Sequence, residues 1–193
     1  MMKIIAGLAR NVDIKSPETI DVRPTSIRAR KALFDSLGDF SNKSVLDLFS
    51  GSGALSLEAA SRGAVKCVMV ESNKSHGEVI KENILTVEKA NVICDFKLLI
   101  QDALNLISIV KNNSFDIVFA DPPYPISVEC FSKIYNNKAI IESLKGSLLV
   151  WEIPNTPGAV GEFMEAASNG EEDDSIMDAF RNFGGVWFFI KEI

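Results

Sequence analysis

The chain has 193 residues, 47% of them hydrophobic and 24% charged, with a formal net charge of −6. That length suits one α/β domain rather than two, and the apolar content excludes global disorder. The acidic balance excludes a protein that coats nucleic acid by bulk electrostatics, because phosphate binding needs Lys and Arg.

Along the chain, KIIA (3–6) and the stretch around Val12–Ile14 read as short strands joined through Gly7. The N-terminus has too few consecutive apolar residues for a signal-peptide core or a membrane span, so a soluble cytoplasmic protein is expected. In DVRPTSIRARKALFDSLGDF, Pro24 suits a first helical turn. Ile27, Leu33, Phe34 and Leu37 give an apolar face, and Gly38 a stop. From residue 44 short apolar runs alternate with helical patterns: strands at 44–49, 65–71, 95–101, 115–121 and 147–153, with helices at 54–63, 73–89, 103–111 and 127–135. A helix around 160–168 and an exposed acidic loop, Glu171 to Asp174, precede SIMDAFRNF, Gly184-Gly185 and VWFFIKE, a hairpin signature. The alternation predicts a mostly parallel, doubly wound sheet with an antiparallel strand added at the C-terminus.

Charge is unevenly spread. Residues 1–43 carry eight Lys or Arg against five Asp or Glu, whereas residues 160–193 carry two against eight. The cations Arg10, Arg23, Arg28, Arg30 and Lys31 are candidates for an RNA-facing patch. Three dispersed cysteines and a single histidine argue against a disulfide framework, a metal site or a His-centred triad. His76 is expected on the polar side of its helix, exposed. Cys67 and Cys94 are expected in the core, and Trp151 and Trp187 as packing residues.

The first strand of the alternating series ends in Asp47-Leu48-Phe49-Ser50-Gly51-Ser52-Gly53. Glycines at such a turn let backbone N–H groups approach a ligand, although Gly-x-Gly alone also fits an empty tight turn. A pyrophosphate gains nothing from a carboxylate at Asp47, whereas S-adenosylmethionine carries a sulfonium and an ammonium that a carboxylate can face. Glu71 closes the second strand, 18 residues after Gly53, where an acid can accept both ribose hydroxyls. Asp102 closes the third, placed for an adenine amino group. Each acid alone reads equally as a helix cap, but three at successive strand ends mark the ligand edge of an open sheet.

Asp121-Pro122-Pro123-Tyr124 follows the fourth strand. An exocyclic amino group on a base is a poor nucleophile because its lone pair is delocalised into the ring. Two acceptors aimed at its N–H bonds, the Asp121 carboxylate and a carbonyl of the stiff Pro-Pro segment, draw it towards tetrahedral geometry and stabilise the charge that develops. Asp121 can then take the surplus proton, and the Tyr124 ring can stack on an extruded base.

DLFSGSG followed by DPPY is the signature of amino-group methyltransferases that use S-adenosylmethionine. With KIIAG…RPTSIRARKALFDSL, LDLFSGSGALSLEAASRGA and VFADPPY, the chain resembles the bacterial 16S rRNA guanine-N2 methyltransferase (RsmD) family over roughly residues 2–152. The resemblance implies a Rossmann-like α/β fold with a mostly parallel seven-stranded sheet. It also implies an N-terminal extension (1–42) on a core (43–193) as one methyltransferase domain. By position, Asp47, Phe49, Gly51, Gly53, Glu71, Asp102, Arg23 and Thr25 would line the S-adenosylmethionine site, and Asp121, Pro122, Pro123 and Tyr124 would form the catalytic loop. The expected partner is 16S rRNA, in a 30S subunit or assembly intermediate, acted on by a monomer. Family members carry a basic stretch after the first Gly. Here Arg10-Asn11-Val12-Asp13 holds one cation, so a protein-bearing particle is the expected substrate over naked RNA. The alternatives are a DNA adenine-N6 or cytosine-N4 methyltransferase, for which 193 residues leave little recognition region, and a non-catalytic assembly factor that binds the cofactor.

Overall fold

The structure, a computed structural model, describes residues 2–17, 26–111, 113–168 and 174–193. Met2–Lys3 (β1) and Asp13–Ile14 (β2) pair antiparallel. Ser26 caps Ile27–Leu37 (α1), its side chain accepting from Ala29 N, and Gly38 ends the helix at φ 80°. The core then alternates as Ser44–Leu48 (β3), Ala54–Ser61 (α2), Lys66–Glu71 (β4), Lys74–Glu88 (α3), Asp95–Ile100 (β5), Leu106–Val110 (α4) and Ile117–Ala120 (β6). Ser127–Tyr135 (α5), Lys138–Ser143 (α6), Leu148–Ile153 (β7), Ala159–Ser168 (α7), Phe180–Phe183 (β8) and Val186–Glu192 (β9) complete it.

One sheet takes the order β5-β4-β3-β6-β7-β9-β8. The first five strands are parallel, while β9 runs antiparallel to β7 and β8 antiparallel to β9. This is the expected α/β architecture. Several local expectations change: the first strand, expected at 3–6, is Met2–Lys3. SIMDA forms a 3₁₀ turn over Asp174–Ala179, so the first hairpin strand starts at Phe180. The helix at 103–111 opens as a 3₁₀ turn over Ala103–Asn105. The short helix α6, capped by Asn137 through Ala139 N and Ile140 N, carried no sequence signal long enough to register. The acidic segment 171–173 lies outside the described residues.

Alternation along the central strands splits the core in two. Leu46, Leu48, Val118, Leu149 and Trp151 point to the side covered by α4 to α7. There Phe131 is the hub, its ring 5.3 Å from Trp151, 5.0 Å from Phe163 and 5.1 Å from Phe189. Val45, Phe119 and Val150 point to the other side, with Leu33 and Phe34 of α1 and Leu57 of α2. By the same alternation Asp47, one residue from Leu46 and Leu48, belongs to the α1 and α2 side at the carboxyl edge. Ile27, expected in the apolar face of α1, is the first residue of the helix and is 55% exposed.

Candidate active site

A cavity of about 750 Å³ opens at the carboxyl edge of β3, β4 and β6. Asp47, Phe49, Gly51, Glu71, Asp102 and the Asp121–Tyr124 segment all line it, so the structure gathers these candidates around one space.

The loop after β3 is pinned from several sides. Ser50 Oγ donates to Asp47 O at 2.7 Å and accepts from Val70 N at 3.1 Å. Gly51 N donates to Glu71 Oε2 at 2.9 Å, and the other oxygen, Oε1, accepts from Asn73 N at 2.8 Å. Phe49 holds φ 61°, a left-handed conformation unusual for a bulky residue, and its ring meets Trp151 edge-on at 6.3 Å. Gly53 lies between Ser52 and Ala54, which both line the cavity; at φ +77° it caps α2, and a Cβ there would sit 3.2 Å from Met69 Sδ, so the turn and close packing require glycine.

Asp47 is 1% exposed and accepts from Ser56 Oγ at 2.9 Å and Ser56 N at 3.3 Å. Burial pushes its carboxyl up to about 7, against the Ser56 hydrogen bonds that pull it down, with the Glu71 charge adding to the rise. A buried carboxylate held this high favours a cation in the adjoining cavity. Glu71 uses two lone pairs on the loop and keeps about two of its roughly four acceptor sites for a ligand diol. Asp102 acts as a cap, Oδ1 accepting from Leu104 N at 2.9 Å at the start of the 3₁₀ turn, and the residue also lines the cavity. Ala103 and Leu104 add apolar wall beside it. Anionic edge, diol acceptor and apolar wall together fit a nucleoside that carries positive charge.

Asp121 follows Ala120 at the end of β6, beside β7, where Ala120 pairs with Trp151. Burial, then the charges of Glu152 and Asp47, push the Asp121 carboxyl well above its ordinary value. Pro123 O accepts from Ile126 N at 3.1 Å, whereas Pro122 O accepts no hydrogen bond among the described residues. Tyr124 opens a 3₁₀ turn at the cavity wall, partly exposed.

Other candidates part from expectation. Arg30 is not on an RNA-facing surface: it is 2% exposed, borders the cavity and donates from Nη2 to Lys3 O. Burial lowers its pKa, opposed by the nearby Glu58 carboxylate. Arg10, Arg28 and Lys31 are exposed, Lys31 pairing with Asp35. Arg23 and Thr25 lie outside the described residues. His76, expected on the surface, has a side chain only 12% exposed and lines the cavity with Nδ1 3.7 Å from Glu71 Oε1. Trp151 is fully buried and donates to Ser127 Oγ at 3.3 Å, as packing requires, but Trp187 is 38% exposed.

The family model described as conserved hypothetical protein 95 matches residues 2–171. The chain belongs to that family. Among curated proteins of similar sequence, the Ribosomal RNA small subunit methyltransferase D of Haemophilus influenzae is 36% identical over 129 residues, covering 64% of each chain. The chain therefore spans just under two thirds of that relative's length. That relative carries the name of the family the motifs resemble. Among solved structures, the hypothetical protein TTHA0928 of Thermus thermophilus superposes with a TM-score of 0.69 at 27% identity over 100% of both chains. A Streptococcus mutans protein named for SAM-dependent methyl transfer shares the fold at 18% identity, with a TM-score of 0.65 over 83% of this chain and 46% of its own. The fold is that of S-adenosylmethionine-dependent methyltransferases. Among the described residues no helix is long and apolar enough to cross a membrane.

Proposed function

We propose that the protein binds S-adenosylmethionine in this cavity and methylates rRNA of the small ribosomal subunit, at the exocyclic N2 amino group of a guanine. The carrying observation is the Asp121–Tyr124 segment at the rim of the acid-lined cavity, with a raised carboxyl next in sequence to a Pro122 carbonyl that accepts no hydrogen bond among the described residues. When bound, S-adenosylmethionine supplies a methyl group made electrophilic by its sulfonium. Glu71 is suited to hold the ribose hydroxyls, Asp102 the adenine, and Asp47 the positive end. Asp121 and the Pro122 carbonyl accept the two amino N–H bonds of the target base, concentrating its lone pair on the face opposite them. As the nitrogen–carbon bond forms and the sulfur–carbon bond breaks, Asp121 takes the proton the nitrogen sheds. Burial and neighbouring carboxylates strengthen it as a base. The Tyr124 ring gives the extruded base a stacking surface. Much of the acceleration comes from holding the nucleophile against the methyl carbon.

We further read residues 1–42 as an extension of a 43–193 catalytic core acting as a cytoplasmic monomer on a 30S subunit or assembly intermediate. Exposed Arg10 and Arg28 give few handholds for RNA phosphate. The test is mass analysis of 16S rRNA from a deletion strain, with methylation of naked 16S rRNA and 30S particles by the purified protein. Loss of one N2-methylguanine and faster methylation of the particle are expected. An unchanged modification profile would overturn the activity, and faster methylation of naked RNA would overturn the particle preference. Methylation of DNA, or cofactor binding without transfer to any nucleic acid, would replace this reading with one of its alternatives.

A further inference from the structure

The segment before α1 is tied to the body of the protein at several points. Glu58 on α2 accepts from Ile5 N at 2.7 Å and Ala6 N at 3.1 Å. Ser61 Oγ accepts from Ala9 N at 2.9 Å and donates to Ala6 O. Arg30 holds Lys3 O. All of these bonds fasten the segment to α1 or α2.

Asn83, in the middle of α3, makes a different connection. Its Oδ1 accepts from Lys15 N at 2.7 Å, and its Nδ2 donates to Lys15 O and to Ser52 O, both at 2.9 Å. The amide thus pairs with one backbone residue as a neighbouring strand would, and spends its second N–H on the glycine-rich loop. Asn83 is 1% exposed and Ser52 is buried, so the Ser52 end of this bridge is closed to water, while Lys15 at the other end is exposed. Ser16, next to Lys15, and Ser52 both line the cavity, as does Met2. A single buried side chain therefore fixes two stretches of cavity wall that are 37 residues apart in sequence.

We propose that Asn83 is a positioning residue for the cofactor: it locks the N-terminal segment to the Ser50–Gly53 loop, so that S-adenosylmethionine or its product S-adenosylhomocysteine binds both as one preformed wall. The proposal rests on the cofactor reading given above. Asn83 touches no reacting atom, and its effect passes through the backbone of Lys15 and Ser52. Coupling of this kind is reciprocal: if the bridge helps the ligand bind, the ligand must stabilise the bridge.

Three proteins test this with S-adenosylhomocysteine as the probe. Asn83→Ala removes the bridge. Asn83→Asp keeps the acceptor for Lys15 N but loses both donors and sets a charge against two carbonyls. Val87→Ala, one turn along α3 and fully buried, weakens the same helix without touching the bridge. Both Asn83 variants are expected to bind the probe about tenfold more weakly by calorimetry, with KM for S-adenosylmethionine rising similarly while kcat at saturation changes by less than about threefold. Val87→Ala should bind within about twofold of the parent protein, although the buried cavity it leaves lowers the denaturation midpoint. Hydrogen exchange on the unaltered protein provides a measurement that needs no variant. The probe should slow exchange at the Lys15 amide about fivefold or more, as expected for a coupling near 1 kcal/mol. An unchanged Lys15 amide in a protein that binds the probe would overturn the proposal while leaving the cofactor reading intact. So would an affinity loss in Val87→Ala equal to that in Asn83→Ala. Failure of the unaltered protein to bind the probe would overturn both.

Discussion

The loops after β3 and β6 leave the same edge of the sheet and border the same cavity, yet the balance of what holds them differs. Ser50–Gly53 is fastened by hydrogen bonds: the Ser50 hydroxyl to Asp47 O and Val70 N, Gly51 N to Glu71, and Ser52 O to Asn83. Asp121–Tyr124 has two prolines, which fix backbone torsions covalently and provide no N–H, and its Pro122 carbonyl takes no bond among the described residues. A loop that only binds can use up its own polar groups in being held. On the proposed function, a loop that grips a reacting amino group needs stiffness from another source, so that the Asp121 carboxylate and the Pro122 carbonyl stay available. The difference predicts that damage to the first loop shows in affinity and stability, and damage to the second in turnover.

The largest expected effect is at Asp121. On the proposed function Asp121→Ala removes the proton acceptor and one of two amino-group acceptors, so single-turnover methyl transfer should fall by about a thousandfold or more. Calorimetric affinity for S-adenosylhomocysteine should stay within about threefold, because the cradle on β3 and β4 is untouched. Turnover near that of the parent protein would remove Asp121 from its role.

Next in size is the titration of Asp47. Its folded value of about 7 lies above that of an unfolded aspartate, so the folded state binds the extra proton. The stabilising contribution is complete below about pH 4 and is lost as pH rises through about 7. The ligand-free parent protein should therefore lose on the order of 3 kcal/mol between pH 5 and 8 from this group alone. Asp47→Asn, whose amide oxygen can still accept from Ser56, should flatten that slope in chemical denaturation while weakening cofactor binding. Parallel pH profiles for the two proteins would show that Asp47 stays charged throughout.

These contrasts bear on what the sequence could reveal. The strands of the core were legible because apolar runs such as VLDLF and DIVFAD are bounded by turn residues. The three strand-end acids were legible because chemistry places carboxylates at that edge. Arg30 was misplaced by residue type: it lies three and four positions before Leu33 and Phe34, on the buried stripe of α1, and the periodicity that located those neighbours applies equally to it. Asn83 is the same case on α3, a polar residue between buried Ile80 and Val87. A cation or amide on an apolar stripe signals a buried polar contact, but its partner, here the backbone of Lys3 or Lys15, belongs to tertiary structure. His76 turned inward because the first turn of α3 starts beside Glu71, a placement that helical periodicity alone does not encode.

The smallest effects come from a matched pair of conservative changes. Ser50→Ala deletes one hydroxyl and leaves Val70 N, buried in β4, without its side-chain acceptor. That should cost about 1–2 kcal/mol of stability and a few-fold in cofactor affinity, with kcat at saturation nearly unchanged. Pro122→Ala deletes no hydrogen bond, since proline has no N–H to lose. It frees a backbone torsion and adds a donor in a loop built to present acceptors. Here stability should change by only about 1 kcal/mol, while kcat falls about tenfold because the carbonyl and the Asp121 carboxylate no longer stay in register with the two N–H bonds of one amino group. The informative result is the crossing of the two variants, measured by denaturation and by saturating-cofactor kinetics on the same preparations. If Ser50→Ala reduced kcat as much as Pro122→Ala, rigidity of the cradle would be limiting for chemistry as well as for binding, and the division between a loop that holds and a loop that reacts would fail.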